Sequence, residues 1–471
     1  MFRLQNLFLP ERIIPFIISL AFFMESLDAT VLNTAIPVIA HSLQVHPINL
    51  KISLITYLLS LAIFIPISGW MADKFGVKKI FITAILIFTI SSFFCGISTN
   101  IFELSAARFI QGIGGALNLP VGRLIILRYF KGKNILSIMN QVIMVGAFGM
   151  MMGPLLGGFI SQYFSWQWIF WINLPVGLFA AGLAYYWLPK FPFLIMPPLD
   201  TIGFILFGSS LACLTLGASE LSETSLSINT PLIIILSAVL LFLIYIWHSK
   251  HQEHPIVKVK LLKQDVFRIS VIGNFFSRLV FSSVPFVMPL LLQLVFGYSP
   301  HLSGILLSPL AIGVMLAKPL SILLLRQMGY KWLLITNSVF AGLFILTFTM
   351  ITIHTPIIII GSLMLLYGIF VSLQFGAVNT LGYSDTAHED LSAATSIVST
   401  CQQLAQSLGV ALCALILRVI SSVFSENFLL TTFTFDMVFV VLSVMMLFTA
   451  WLFTKLNLVG NTLPNQVSKQ A

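Results

Sequence analysis

The sequence contains few charged residues. Of its 471 residues only 8% are Asp, Glu, Lys or Arg, whereas 58% are hydrophobic and the mean hydropathy is +1.02. A typical soluble domain is about 25% charged, so an ordinary soluble globular protein is excluded. Continuous apolar runs recur along the chain, which a membrane β-barrel, with its alternating strands, does not have. We therefore predict an all-α polytopic membrane protein whose helices each span the bilayer.

Cysteine is scarce, and the sequence has no metal-binding pattern. Cys95, Cys213, Cys401 and Cys413 all fall within apolar segments, and no two have the spacing of a metal knuckle. We expect them to pack as small hydrophobic residues. The histidines fall in loops or at span ends and none is paired with an acid in a catalytic motif. This distribution argues against a membrane-embedded enzyme, and we predict no metal site and no cofactor.

Fourteen apolar segments are long enough to cross a membrane, and no soluble domain interrupts them. The first segment carries internal acids and lacks a clean cleavage site, so we interpret it as a span rather than a signal peptide. The predicted spans cover residues 13–36, 52–71, 80–98, 101–127, 138–160, 168–188, 201–219, 231–248, 267–290, 303–325, 332–352, 355–380, 393–419 and 435–454.

Basic residues are concentrated in alternate connections between the spans. One set of loops and tails carries nearly all the loop Lys and Arg residues, whereas the other set has essentially Lys51. The positive-inside rule places the basic set, and with it both termini, in the cytoplasm. The same rule explains the formal charge of +9 without a nucleic-acid partner.

The longest polar stretch, Ser249 to Asp265, divides the chain after the eighth span. We expect two six-helix halves separated by an inserted helix pair. The predicted parts are an N-terminal half at 1–190, two inserted helices at 191–250, a cytoplasmic linker at 251–265, a C-terminal half at 266–456 and a cytoplasmic tail at 457–471.

Two acidic residues interrupt the first span. Glu25 and Asp28 are three positions apart and share one helix face. A charge at the centre of a membrane helix costs roughly 2.5–3.5 kcal/mol on insertion scales, so such residues usually have a function. At 1.5 Å per residue, Asp28 and Arg108 lie about 12 Å and about 10 Å from the outer ends of their spans. We predict that Asp28 and Arg108 pair, and the alternative is that the Arg108 side chain extends to the outer interface. For Glu25 the alternative to a functional role is a neutral structural hydrogen bond.

The loop after the second span has a distinctive sequence. Residues 69–79 read Gly-Trp-Met-Ala-Asp-Lys-Phe-Gly-Val-Lys-Lys. Taken alone, this is a basic turn whose glycines permit sharp bending. The string resembles the signature loop of the major facilitator superfamily, except that Val77 replaces a usual basic residue. The resemblance implies a conformational gate formed by Gly69, Asp73, Gly76, Lys78 and Lys79, in which Asp73 contacts the start of the thirteenth span near Ser392.

Motifs in the fourth and fifth spans narrow the resemblance. Residues 108–116, Arg-Phe-Ile-Gln-Gly-Ile-Gly-Gly-Ala, resemble the superfamily's fourth-helix motif, whose Arg is associated with proton coupling. In the fifth span the spacing of four between glycines gives a smooth face for close helix contact, and a proline bends the helix. This string resembles the fifth-helix motif of drug:proton antiporters, which symporters largely lack. Its residues are Gly149, Gly153, Pro154, Gly157 and Gly158.

Other segments resemble the fourteen-span drug:proton antiporter family, which includes the EmrB and QacA types, and above all its MdtD-type members. These segments are 27–37 in the first span and 166–177 at the entry to the sixth. Residues 326–331, Arg-Gln-Met-Gly-Tyr-Lys, resemble a degraded copy of the signature loop, as an internally repeated fold would produce. The implied fold is the major facilitator fold, with two six-helix halves plus two inserted helices.

The resemblance implies proton-coupled export of amphipathic or cationic small molecules across a bacterial inner membrane. Asp28 and Arg108 would couple the proton, with the bilayer, substrate and protons as partners. A monomer is expected, and a periplasmic adaptor is left open. The alternatives are an exporter of a metabolite, siderophore or fatty acid, and an uncoupled facilitator. Residues assigned to the substrate cavity are Glu25, Asn33, Gln111, Arg278 and Lys318.

Overall fold

The structure is a computed structural model that describes residues 10–130, 135–191, 196–221, 229–384, 390–424 and 430–456. Within these ranges the chain forms helices and no strands. Fourteen of the described helical segments are long and apolar enough to cross a membrane, which confirms the predicted all-α polytopic fold. The predicted tail at 457–471 lies outside the described residues.

We number the fourteen spans in chain order. They are Pro10–Ser42, Pro47–Phe75, Val77–Ile97, Ile101–Tyr129, Gln141–Tyr163, Trp168–Trp187, Thr201–Glu220, Asn229–His251, Asp265–Val295, Pro300–Ser321, Leu323–Met350, Ile357–Gly382, Ala393–Val423 and Thr432–Thr454.

Several spans differ in length or continuity from the prediction. Span 1 runs past Pro37 to Ser42, and Ile39 and Ala40 beyond that proline are buried. Within the range Pro309–Leu346 two helices meet at a kink at Gly329, whose φ of 71° is not helical. A positive φ favours glycine, so this residue allows the kink. The predicted cytoplasmic linker contains a short 3₁₀ helix, Val259–Lys263.

The chain divides into two compact units. The first comprises Met1–Leu216, Ile233–Ile256 and Tyr298–Ile305, and the second comprises Gly217–Leu232, Val257–Gly297 and Leu306–Ala471. These boundaries are not those of the predicted division, since the first unit includes most of spans 7 and 8 and the start of span 10. The division into six-helix halves with an inserted pair stays a prediction.

Both units rely on glycine for close helix packing. In the first unit a Cβ on Gly112 of span 4 would lie 2.6 Å from the carbonyl oxygen of Tyr57 in span 2. In the second unit Gly313 of span 10 lies against the Leu365 carbonyl, and Gly368 of span 12 lies against the Leu310 carbonyl. Small residues of this kind let membrane helices approach each other backbone to backbone.

Candidate functional site

A buried ion pair joins spans 1 and 4 in the first unit. Asp28 and Arg108 each have 0% of their surface exposed, and Arg108 Nη1 donates to Asp28 Oδ2. Arg108 therefore does not extend to the outer interface. Removing two charges from water costs several kcal/mol per ion, and the mutual attraction offsets this only when the remaining polar atoms are also bonded. The atoms around the pair therefore determine whether it is stable.

Two amide side chains complete the coordination of the Asp28 carboxylate. Gln111 Nε2 donates to Asp28 Oδ1 at 3.0 Å and to Ser92 Oγ at 2.7 Å, while its Oε1 accepts from Arg108 Nη1 at 2.6 Å. Asn173 Nδ2, at the start of the main helix of span 6, donates to Asp28 Oδ1 at 3.0 Å. Both carboxylate oxygens accept hydrogen bonds, and all the bonds are donated to Asp28. This geometry matches the ionised form of the carboxylate.

The sequence of span 4 explains how these groups converge. Arg108 and Gln111 are three residues apart, so they lie on the same helix face. On the same helix, a Cβ on Gly114 would lie 2.7 Å from the Ala84 carbonyl oxygen of span 3. Glycine at this position thus lets span 4 approach span 3, which carries Ser92. We call Asp28, Ser92, Arg108, Gln111 and Asn173 the acid network.

Aromatic rings enclose the arginine of the acid network. The Arg108 guanidinium carbon lies 4.2 Å from the centre of the Tyr57 ring and 5.8 Å from that of Phe170. A desolvated guanidinium over such a ring gains about 2 kcal/mol or more. Arg108 Nε and Nη2 are buried and make no hydrogen bond to any described residue. The rings of Tyr57 and Phe170 therefore add to the stabilisation that Asp28 gives the guanidinium.

Glu25 lies one helical turn before Asp28 and is half-buried. Its Oε2 atom is inaccessible and has no hydrogen-bond partner among the described residues. Asp28 and Arg123 are the charged residues that act on it electrostatically. The structure therefore gives no support to the alternative of a structural hydrogen bond, and it leaves a carboxyl group next to the acid network without a bonded partner.

The other residues assigned to the substrate cavity differ in their surroundings. Gln111 is fully buried and contacts Asp28 directly. Asn33 is half-buried and bonds no described residue. In the second unit the Arg278 guanidinium carbon lies 3.7 Å from the centre of the Phe375 ring, and Lys318 is exposed. Their cavity roles stay predictions.

The signature loop forms local contacts within the first unit. Asp73 pairs with Arg128 at the end of span 4. Gly76 has φ 94° and allows the sharp turn between spans 2 and 3, after which Lys78 Nζ donates to the Leu188 carbonyl at 2.6 Å. Lys79 is exposed. The predicted contact between Asp73 and the thirteenth span stays a prediction.

The fifth-helix motif packs against span 1, which carries Asp28. A Cβ on Gly149 would lie 2.6 Å from the Phe23 carbonyl, and Gly153 and Gly157 lie against Thr30 and Val31. Glycine is needed at these positions because a side chain would collide with span 1. Gly158 lies against the backbone of Pro300, and Gly69 of the signature loop has open space beside it.

Pro154 of the same motif leaves one carbonyl without its helical partner. A proline has no N–H to donate to the carbonyl four residues earlier, which here belongs to Met150. The Thr30 hydroxyl of span 1 lies 3.3 Å from that carbonyl oxygen, although it also faces the Ser26 and Leu27 carbonyls of its own helix. Span 1 therefore supplies a donor where the motif proline removes one.

Several residues of the site have no role predicted from the sequence. Tyr57, Ser92, Asn173 and Arg128 all contact a predicted site residue. Ser92 and Asn173 are polar residues buried in apolar spans, and this burial is the signal that could have identified them. Tyr57 resembles any aromatic residue of a span, so no sequence signal distinguishes it.

Comparisons with known proteins agree with this architecture. The sequence profile described as the Major Facilitator Superfamily matches residues 18–410. The chain is 33% identical over 401 residues to "Putative multidrug resistance protein MdtD" of Enterobacter sp. (strain 638), covering 85% of each chain. The protein of that name from Cronobacter sakazakii (strain ATCC BAA-894) is 34% identical over 401 residues, again covering 85% of each chain.

Solved structures share the fold at low sequence identity. An auto-inhibited POT family peptide transporter superposes with a TM-score of 0.70 at 16% identity, covering 96% of this chain and 99% of that one. A D-xylose-proton symporter gives a TM-score of 0.65 at 15% identity, covering 92% and 96%. The apolar helices and the bacterial relatives indicate a multi-pass protein of a bacterial inner membrane. The chain belongs to the Major Facilitator Superfamily and is a membrane transporter rather than an enzyme.

Proposed function

We propose that this transporter is a proton-coupled multidrug exporter in which Asp28 carries the coupled proton. The observation on which the proposal rests is the acid network: a membrane-buried carboxylate that Arg108, Gln111 and Asn173 hold by donated hydrogen bonds. Ionisable residues inside membrane helices often form proton relays in transporters. The names of the relatives, which describe multidrug resistance proteins, support the same class of substrate.

Protonation of Asp28 changes what its neighbours can do. A neutral carboxyl group no longer attracts Arg108 as a charge, and one of its oxygens becomes a donor that faces the donors of the network. The network must then rearrange, and Arg108 must find other partners. We infer that this change shifts the balance between two conformations of an alternating-access cycle, so that substrate leaves as protons enter.

The fifth-helix motif supports export as the direction of transport. The glycines of span 5 lie against the helix that carries Asp28, so a change at Asp28 reaches this interface directly. We take the resemblance of the motif to that of antiporters as support for export, with both termini in the cytoplasm. Glu25, whose Oε2 has no bonded partner among the described residues, is the acid that we expect to meet a cationic substrate.

Dye efflux from everted membrane vesicles of a pump-deficient host tests this proposal. Asp28→Asn keeps the shape of the side chain and removes its charge, so uncoupler-sensitive transport should be lost. The matched control is Asp265→Asn, because Asp265 forms an exposed ion pair with Arg268. That variant should transport normally. Full proton-coupled transport by Asp28→Asn would refute the coupling role. An unchanged drug susceptibility in strains that contain or lack the protein would favour a metabolite as cargo.

A further inference from the structure

A cavity of about 410 Å³ lies in the first unit where span 3 begins and span 6 ends. Lys78, Lys79 and Lys190 contribute its charge, and the rings of Tyr185 and Phe191 contribute to its wall. None of the described residues that line it is acidic. It lies apart from the acid network and from the antiporter motif, and although Gly76, Lys78 and Lys79 belong to the predicted gate, the proposed function assigns no ligand to the cavity.

The three lysines carry a charge that nearby acids do not balance. Lys78 Nζ is held by the Leu188 carbonyl at 2.6 Å, and Lys190 is close enough to act on it electrostatically. Neither Lys79 nor Lys190 pairs with an acid of the described chain. Other basic side chains of the molecule do have such partners, since Arg128 pairs with Asp73 and Lys258 with Asp390.

The second unit repeats the turn with one lysine where the first unit has two in succession. Gly329 has φ 71°, and Lys331, two residues later, donates from Nζ to the Leu456 carbonyl at 2.8 Å. Gly76 and Lys78 have the same spacing and make the same kind of contact. The residue after Lys331 is Trp332, where the first unit has Lys79 after Lys78. The turn therefore forms without a lysine at the position of Lys79, so the geometry of the turn does not account for Lys79.

The position of the cavity indicates which kind of ligand would neutralise its positive charge. Lys78 and Lys79 lie in the first turn of span 3, and Lys190 lies just after the end of span 6, so all three are at the level where a membrane helix meets the headgroups. Tyr185 is 65% exposed and Phe75 is 42% exposed, so aromatic surface is available at the mouth of the cavity. A soluble anion would use only the lysines, whereas a phospholipid would use both features.

We propose that this cavity binds the phosphate of an anionic phospholipid, with Lys79 and Lys190 facing the headgroup and Tyr185 packing against the glycerol and acyl region. Lys78, held by the Leu188 carbonyl, adds the third charge. Basic pockets between membrane helices commonly bind such headgroups. The bound lipid would join the start of span 3, next to the signature loop, to the end of span 6.

Native mass spectrometry of the full-length protein, titrated with phosphatidylglycerol or phosphatidylcholine, tests the proposal. The protein should retain phosphatidylglycerol at lower concentration than phosphatidylcholine. Lys79→Gln and Lys190→Gln should each weaken phosphatidylglycerol binding about fivefold, since a basic residue at the surface contributes about that factor. The matched control is Lys331→Gln, which removes the lysine of the corresponding turn in the second unit. This variant should bind phosphatidylglycerol as the unchanged protein does.

Two further measurements distinguish a lipid site from a soluble-anion site and from a folding defect. Lys79→Arg with Lys190→Arg keeps both charges and should retain binding, and the glutamine variants should melt at the temperature of the unchanged protein in lipid-free detergent if their loss of binding is due to charge and not to misfolding. Inorganic phosphate should not displace phosphatidylglycerol; displacement at millimolar phosphate would instead indicate a soluble-anion site. Equal binding of the two lipids, or unchanged phosphatidylglycerol binding by the double glutamine variant, would overturn the proposal.

Discussion

Gln111 of span 4 and Gln374 of span 12 are each the centre of a buried hydrogen-bond network in their own unit. Gln111 Nε2 donates towards span 1 at Asp28 and towards span 3 at Ser92. The amide thus connects three helices of the first unit. The side chain of Gln374 is also fully buried, and it donates to span 9 at Ser277 and to span 11 at Ser338 in the second unit.

The partners of Gln374 carry no charge. Its Nε2 donates to Ser277 Oγ and to Ser338 Oγ, both at 3.1 Å, and its Oε1 accepts from Asn337 Nδ2 at 2.7 Å. Where span 1 supplies the carboxylate of Asp28, span 9 supplies a serine hydroxyl. The Gln374 network therefore links three helices of the second unit through neutral hydrogen-bonding groups.

This difference indicates why the ion pair is present. A buried pair of charges is seldom more stabilising than well-packed neutral groups of similar volume. Because the second unit forms an equivalent junction without charge, packing does not require Asp28 and Arg108. Their charges are better explained by a step in transport that neutral groups cannot perform, which is the role proposed for Asp28.

Arg108→Gln should have a larger effect than a change at the central glutamine of either network. It leaves Asp28 buried and without its cationic partner, a loss that typically costs about 3–5 kcal/mol. We expect a large drop in the melting temperature of the detergent-solubilised protein and no uncoupler-sensitive efflux.

The double variant Asp28→Asn with Arg108→Gln makes the first network neutral, like the second. It should recover much of the stability that Arg108→Gln alone loses, because no unpaired charge remains, while efflux stays uncoupled. If the double variant melted as low as Arg108→Gln, an unpaired charge would not be the cause of the instability.

Gln111→Ala and Gln374→Ala should have similar effects on stability and different effects on transport. Each change leaves buried partners unsatisfied, at a cost of about 1–3 kcal/mol. Only Gln111 contacts Asp28, so only Gln111→Ala should reduce the uncoupler-sensitive fraction of efflux. Thermal melting and vesicle transport would be measured on both variants. An equal loss of coupling in Gln374→Ala would show that the neutral network also takes part.

The sequence is sufficient to predict the helical fold, because each span is a long apolar run and this pattern depends on composition alone. It also predicts the pairing of Asp28 with Arg108, since a depth estimate needs only the helical rise. Gly329 and Lys331 belong to the degraded copy of the signature loop, and the structure shows that they form the same turn and carbonyl contact as Gly76 and Lys78.

Other features of the site depend on how the helices rotate and approach one another. Asn173 lies far from Asp28 in sequence, and no periodicity reveals that its amide faces the carboxylate. The cavity role of Gln111 stays a prediction, and its full burial within the acid network follows from helix packing that the sequence does not show. The sequence shows Arg128 only as a loop charge, whereas in the structure it pairs with Asp73.

Thr30→Val tests the contact between the Thr30 hydroxyl of span 1 and the Met150 carbonyl of span 5. The valine removes the hydroxyl near the Met150 carbonyl, which Pro154 leaves without its helical donor, and should cost about 1 kcal/mol. Thr336→Val in span 11 is the control, because Thr336 is half-buried like Thr30 and its hydroxyl bonds only carbonyls of its own helix among the described residues. The melting temperature should fall for Thr30→Val and change little for Thr336→Val. Equal shifts would mean that the contact across to span 5 adds nothing.

The smallest expected effect concerns the repeated turn. Lys78→Gln and Lys331→Gln each remove a cation from the carbonyl end of another helix of the same unit, an interaction worth about 0.3–1 kcal/mol. The two variants should therefore lower the melting temperature by similar small amounts in lipid-free detergent. Phosphatidylglycerol should raise the melting temperature most in proteins that keep all three lysines of the cavity. Its addition should therefore raise the melting temperature of Lys331→Gln by more than that of Lys78→Gln. Equal gains by both variants would show that the two turns differ in sequence but not in their interaction with lipid.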